Sequence, residues 1–211
     1  MALFHLVSWP REPVDPPYAC LVLLHGRGSN EQDLFGMVPE LPRRAVVLSV
    51  RAPNPFPWGG YFWYELKTEH GGPDELTLNS SLKELHSLLE TLPDTYQVDP
   101  AQIYLLGFSQ GALTSGCLLV SHPEMIAGAA MLSGYLPEGL TPEGIAGKAV
   151  FMAHGSADSV LPVVLGRQAR LKLEGAGADV EYHEYPMDHQ VSEAELSDLR
   201  HWFAARTPAL T

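Results

Sequence analysis

Residues 102–117 read Gln-Ile-Tyr-Leu-Leu-Gly-Phe-Ser-Gln-Gly-Ala-Leu-Thr-Ser-Gly-Cys, and this stretch constrains the fold more than any other. An apolar strand, Ile103 to Leu106, runs into Gly107-Phe108-Ser109-Gln110-Gly111, and a helix of small residues follows. Gly-x-Ser-x-Gly between a strand and a helix forces a sharp turn that thrusts the serine hydroxyl outward. Gly107 and Gly111 are expected where a Cβ would strike the neighbouring strand or helix. The helix amino terminus then points free N–H groups at whatever Ser109 attacks. Ser109 is accordingly the candidate nucleophile.

Around this element, short apolar runs alternate with helical patterns. Strands are expected over 3–8, 18–24, 45–50, 102–106, 126–132, 148–153 and 180–185. The 18–24 run, Tyr-Ala-Cys-Leu-Val-Leu-Leu, is nearly all apolar, as suits a strand covered on both faces. Leucines at 78, 82, 85, 89 and 92 mark one helical stripe. Further helices are expected over 110–121, from Pro162 to about 175, and over 192–205. Ser29-Asn30-Glu31-Gln32 reads as a capping box for a short helix ending near 38. Strand–helix alternation predicts an α/β fold, a mostly parallel sheet with helices on both faces. With 211 residues, 45% of them hydrophobic, and no repeat or composition break, one domain over 1–211 is expected.

A serine hydroxyl is a poor nucleophile unless a base takes its proton and a third group orients that base. In a fold of this kind the partners leave later strand ends in the order Ser, acid, His. The acid candidate is Asp158, in the loop His154-Gly155-Ser156-Ala157-Asp158 after the 148–153 strand. The competing role for Asp158 is to cap the helix that starts near Pro162. The base candidate is His189, after the last strand in Tyr185-Pro186-Met187-Asp188-His189. Asp188 is a rival orienter, but an adjacent side chain rarely folds back onto its neighbour's Nδ1, so it is expected to face solvent. An oxyanion hole needs two backbone donors: the Gln110 N–H, and an N–H from the loop His25-Gly26-Arg27-Gly28, assigned to Arg27. The Arg27 side chain is expected to pair with Glu31 or Asp33, or to meet an anionic substrate group. His25 and His154 read as hydrogen-bonding residues behind the site.

Residues 51–76 form the longest irregular stretch, and their Trp58-Gly59-Gly60-Tyr61-Phe62-Trp63-Tyr64 either walls an apolar pocket or packs the loop onto the sheet. Phe62, Trp63 and, beside the acid, Leu161 are the expected substrate-binding residues. Residues 70–75 read as a solvated turn. No cluster has metal-ligand spacing, no loop fits a dinucleotide or phosphate, and the chemistry calls for neither metal nor cofactor. A net charge of −12 opposes binding to nucleic acid or to anionic membranes. The expected partner is a small molecule, and apolar surface near the aromatic loop permits a homodimer. Two cysteines without a disulfide framework, and no recognisable signal peptide, favour a cytoplasmic location.

Taken together, Leu24-His25-Gly26-Arg27-Gly28, Gly107-Phe108-Ser109-Gln110-Gly111, His154-Gly155 with Asp158 and Pro162, and Tyr185-Pro186 with His189-Gln190-Val191 resemble the phospholipase/carboxylesterase family of α/β-hydrolases. Acyl-protein thioesterases and bacterial carboxylesterases belong to it. The resemblance implies an α/β-hydrolase fold, a triad of Ser109, Asp158 and His189, and oxyanion donors at Arg27 and Gln110. Two positions depart from the family's habit: Asp188 replaces the usual Gly before the histidine, and Arg27 stands where eukaryotic thioesterases commonly have Leu. No insertion is long enough for a large lid. The expected activity is hydrolysis of small to medium acyl esters through an acyl-enzyme. A thioesterase or lysophospholipase using the same triad is the alternative, and a non-catalytic ligand-binding member is a third. Cysteine at the elbow would suggest a dienelactone hydrolase; Ser109 argues against one.

Overall fold

The computed structural model describes residues 3–68 and 71–206. In chain order these form β1 (His5–Ser8), β2 (Tyr18–Leu24), α1 (Gln32–Phe35), β3 (Val46–Val50), β4 (Asn54–Pro55), β5 (Tyr61–Phe62), α2 (Glu75–Tyr96), β6 (Val98–Phe108), α3 (Gln110–Ser121), β7 (Gly128–Leu132), β8 (Ala149–Gly155), α4 (Val163–Gly175), β9 (Asp179–Tyr185) and α5 (Glu193–Arg206). Seven strands make one sheet in the order β1-β3-β2-β6-β7-β8-β9. Only β1 runs antiparallel, against β3; the other neighbours are parallel.

Side chains along a strand alternate between faces, so a central strand must be apolar on both. On β2, Cys20, Val22 and Leu24 join a core with Leu85 and Leu89 of α2 and Leu113 and Leu118 of α3. The intervening Ala19, Leu21 and Leu23 join a second core with Leu34 of α1 and Leu199, Trp202 and Phe203 of α5. Parallel strands present their carboxyl ends on one rim, and β2, β6, β8 and β9 all deliver candidate site residues there.

Two local expectations need correction. Ser29 does not cap α1: its hydroxyl donates to Asp33, while the Asn30 side chain accepts from the Gln32 N–H at 2.8 Å. Glu31 is instead buried and takes a bidentate grip from Arg51, at 2.6 Å to each oxygen. The leucine helix starts earlier than its stripe, because the Asp74 carboxylate accepts from the Thr77 N–H at 2.9 Å and caps it. His70, in the turn expected over 70–75, lies outside the described residues.

The 51–68 part of the long irregular stretch is more ordered than its composition suggests. β4 and β5 pair as a small antiparallel hairpin. Its second strand is stitched to the loop after β2 by Gly28 N–H to Tyr61 O at 2.8 Å and Tyr61 N–H to Ser29 O at 2.7 Å.

Candidate active site

The turn between β6 and α3 holds Ser109 at φ 56°, ψ −115°, a strained conformation for a residue with a Cβ. The flanking glycines make the strain possible. A Cβ on Gly107 would collide with the backbone of Gly111 and Ala112, and one on Gly111 with the carbonyls of Leu24 and His25. The turn is pinned from below by the Ser109 N–H donating to Leu132 O at 2.9 Å.

The three expected partners meet at this rim. His189 Nε2 lies 2.9 Å from Ser109 Oγ, and His189 Nδ1 lies 2.7 Å from Asp158 Oδ2. They come from positions 80 and 31 residues apart along the chain, so only the sheet can bring them together. The carboxylate of Asp158 is fully buried. Its other oxygen accepts from the N–H groups of Val160 at 2.9 Å and Leu161 at 2.7 Å. The two sequence readings of Asp158 thus divide between its oxygens, one bracing the turn into α4 and one facing the imidazole.

Asp188 does not touch the imidazole Nδ1. Its exposed carboxylate accepts from Ser159 N–H and Ser159 Oγ, each at 2.8 Å, and from the His189 N–H at 2.8 Å. These donors hold its pKa below the ordinary carboxylate value. Asp188 therefore latches the loop carrying His189 to the loop carrying Asp158.

Behind the acid sits His154. Its Nε2 is 2.8 Å from Leu161 O, an acceptor, which assigns the ring proton to Nε2; the same N–H faces Asp158 Oδ2 at 3.4 Å. His25 plays a matching part under the other loop. The Ala52 N–H donates to its Nε2 at 3.0 Å, so its proton sits on Nδ1 and is given to Gly26 O at 2.7 Å. Burial pushes the His25 pKa down, which keeps this ring neutral. Gly26 O also accepts from Ser29 N–H at 3.3 Å. Because a trans peptide points its C=O and N–H in opposite directions, fixing that carbonyl fixes where the Arg27 N–H aims. The Arg27 and Gln110 N–H groups find no acceptor among the described residues, so both are free to bind an oxyanion.

One contributor was missed by sequence reasoning, which used only the backbone of Gln110. Its buried side chain accepts from the Trp63 N–H at 3.0 Å and donates to Tyr64 O at 2.7 Å, tying the aromatic stretch to the elbow. The signal was there: an amide at this position can donate and accept at once. Trp63 itself is a correction. It is fully buried and its indole N–H donates to His25 O at 2.9 Å, so it props the loop after β2 from behind and offers no face to a substrate. Phe62 is nearly buried and packs at 4.8 Å on Phe56; Leu161 is half-buried next to the acid. Trp58 stays 83% exposed, stacked on Phe56. The Arg27 side chain pairs with neither Glu31 nor Asp33. It approaches Glu65 at 3.8 Å and lies over the Phe56 ring at 4.7 Å.

Comparison with known proteins agrees with this architecture. The family model described as Phospholipase/Carboxylesterase matches residues 11–206. Acyl-protein thioesterase 1 of Mycosarcoma maydis is 31% identical over 241 residues, covering 97% of each chain. Lysophospholipase-like protein 1 of Mus musculus is 26% identical, covering 98% of this chain and 95% of its own. Among solved structures, the Bacillus cereus carboxylesterase superposes with a TM-score of 0.88 at 28% identity, covering 97% of this chain and 94% of that one.

Proposed function

The chain belongs to the phospholipase/carboxylesterase family and is a carboxylic ester hydrolase; from that premise we propose that Ser109, His189 and Asp158 are its catalytic triad. Ser109 Oγ attacks the ester carbonyl while His189 Nε2 takes its proton. Asp158 Oδ2, held by His189 Nδ1–H, stabilises the imidazolium that results. The oxyanion is received by the Arg27 and Gln110 N–H groups, the latter at the amino terminus of α3, where the helix field favours negative charge. Collapse expels the alcohol, which takes the proton from His189. Water, activated by the same imidazole, then releases the acid from Ser109. The two contacts of 2.9 and 2.7 Å through one imidazole carry this reading.

Ser109→Ala is expected to lower kcat for p-nitrophenyl butyrate by about 10⁴-fold or more. An alanine variant that turns over at the parental rate overturns the assignment. The kinship to acyl-protein thioesterase 1 favours thioesters as a second substrate class. Competing matched oxygen esters and thioesters by kcat/KM ranks the two. The substrate is a small molecule. Cys20 and Cys117 are buried, unpaired thiols, which supports a cytoplasmic setting. No helix among the described residues is long and apolar enough to cross a membrane.

A further inference from the structure

The Arg27 guanidinium is engaged more loosely than the arginines that grip a carboxylate. Arg51, Arg167 and Arg170 each lock onto a carboxylate at 2.6–2.7 Å. Arg27 makes no side-chain hydrogen bond among the described residues; its one ion pair, to Glu65, is 3.8 Å long, with both side chains well exposed. A pair of that length and exposure is worth little and leaves the fork of N–H donors open. Yet the group is not adrift, because it rests over the Phe56 ring at 4.7 Å, and Phe56 is itself packed between Trp58 and Phe62. An arginine held on an aromatic face loses little further freedom when it grips an anion.

Its place relative to the chemistry is fixed by the chain. Gly26 abuts the elbow: a Cβ there would come within 3.5 Å of the Ser109 Cβ. Arg27 is the next residue, and its own N–H has no acceptor among the described residues. The Arg27 side chain therefore departs from the residue whose N–H is assigned to the oxyanion, and its guanidinium lies over Phe56. On a chain of net charge −12, an anionic substrate is repelled in general and needs a local cation to dock.

We propose that the Arg27 side chain is a specificity element that selects esters bearing a carboxylate a few bonds from the scissile carbonyl, the guanidinium gripping that anion while the N–H of the same residue holds the oxyanion. This rests on the esterase reading above. Glu65 is the nearest carboxylate and a weak internal competitor for the open fork.

The test compares kcat/KM for paired esters on the full chain. p-Nitrophenyl hydrogen glutarate against methyl p-nitrophenyl glutarate places the charge on the acyl side; para-acetoxybenzoate against its methyl ester places it on the leaving group. The readout is the ratio of charged to neutral ester, in which any change in oxyanion stabilisation common to both cancels. Arg27→Met should lower that ratio roughly tenfold to a hundredfold in at least one pair, the worth of a charge-assisted hydrogen bond. The pair that responds identifies the side on which the carboxylate sits. Glu65→Gln, which leaves Arg27 in place, should raise the same ratio, and added salt should lower it. Ratios that are the same in all three proteins overturn the role of Arg27 and leave the esterase reading intact. Hydrolysis of none of the four esters overturns both.

Discussion

Glu195 offers a test of how well burial accounts for this molecule. It lies in the first turn of α5, three residues from Ser192 and just past the loop that carries His189. The two residues form a reciprocal cap, with Glu195 N–H donating to Ser192 Oγ at 3.2 Å and Ser192 N–H to Glu195 Oε2 at 3.3 Å. The side chain is fully buried, and its Oε1 has no partner among the described residues. Burial raises its pKa from 4.5 to about 7, only partly opposed by the Ser192 N–H. A carboxyl that ionises less readily in the fold keeps its proton at pH values where the unfolded chain has lost it. Below pH 4.5 both states are protonated and Glu195 contributes no pH dependence. Between 4.5 and about 7 the unfolded chain binds fewer protons, so stability falls as pH rises, and above about 7 the loss is complete. At 1.36 kcal/mol per pH unit the full loss is about 3 kcal/mol. For a chain of this size that corresponds to roughly 6–12 °C in Tm. Glu195→Gln keeps an acceptor for the cap and removes the titration. Thermal melts of both proteins from pH 4 to 9 should show the glutamine variant gaining on the parent from about pH 5 and levelling off above pH 7. Tm curves that stay parallel over that range refute the reasoning.

Two further perturbations probe the scaffold of the site. Gly111→Ala forces a methyl into the Leu24 carbonyl of the central strand, so it should yield little soluble protein, or protein whose circular dichroism and esterase activity are both lost; a well-folded active variant contradicts the close approach. Gln110→Ala leaves the buried Trp63 N–H and Tyr64 C=O unpaired at about 1–3 kcal/mol each; it should lower Tm and shift the tryptophan emission as the aromatic stretch loosens, and unchanged melting would refute the bridge.

The parts of this site that sequence exposes are those tied to strand ends. Ser109 and Asp158 each follow an apolar run and His189 follows the alternating strand 180–185, and in a parallel sheet strand direction alone delivers all three to one rim. What stayed hidden depends on contacts between distant segments whose residue types admit several partners. Arg51 captures Glu31 from 20 residues away, which takes one of the two partners expected for Arg27, and Arg27 turns to Glu65. Trp63 reads equally as pocket wall or packing until its indole is seen bonded to His25 O. The antiparallel setting of β1 has no local signature either, since an apolar run does not encode its direction. Asp188 faces solvent as its adjacency to His189 suggests, but its grip on Ser159 spans 29 residues and is invisible in the motif.

Catalysis here depends on one activated hydroxyl, and a fluorophosphonate reports activation directly. Intact-mass and peptide analysis after labelling should find a single adduct, on Ser109, formed far more slowly in His189→Ala. No adduct at that serine, or equal labelling with and without the imidazole, contradicts the claim that these side chains work as a unit.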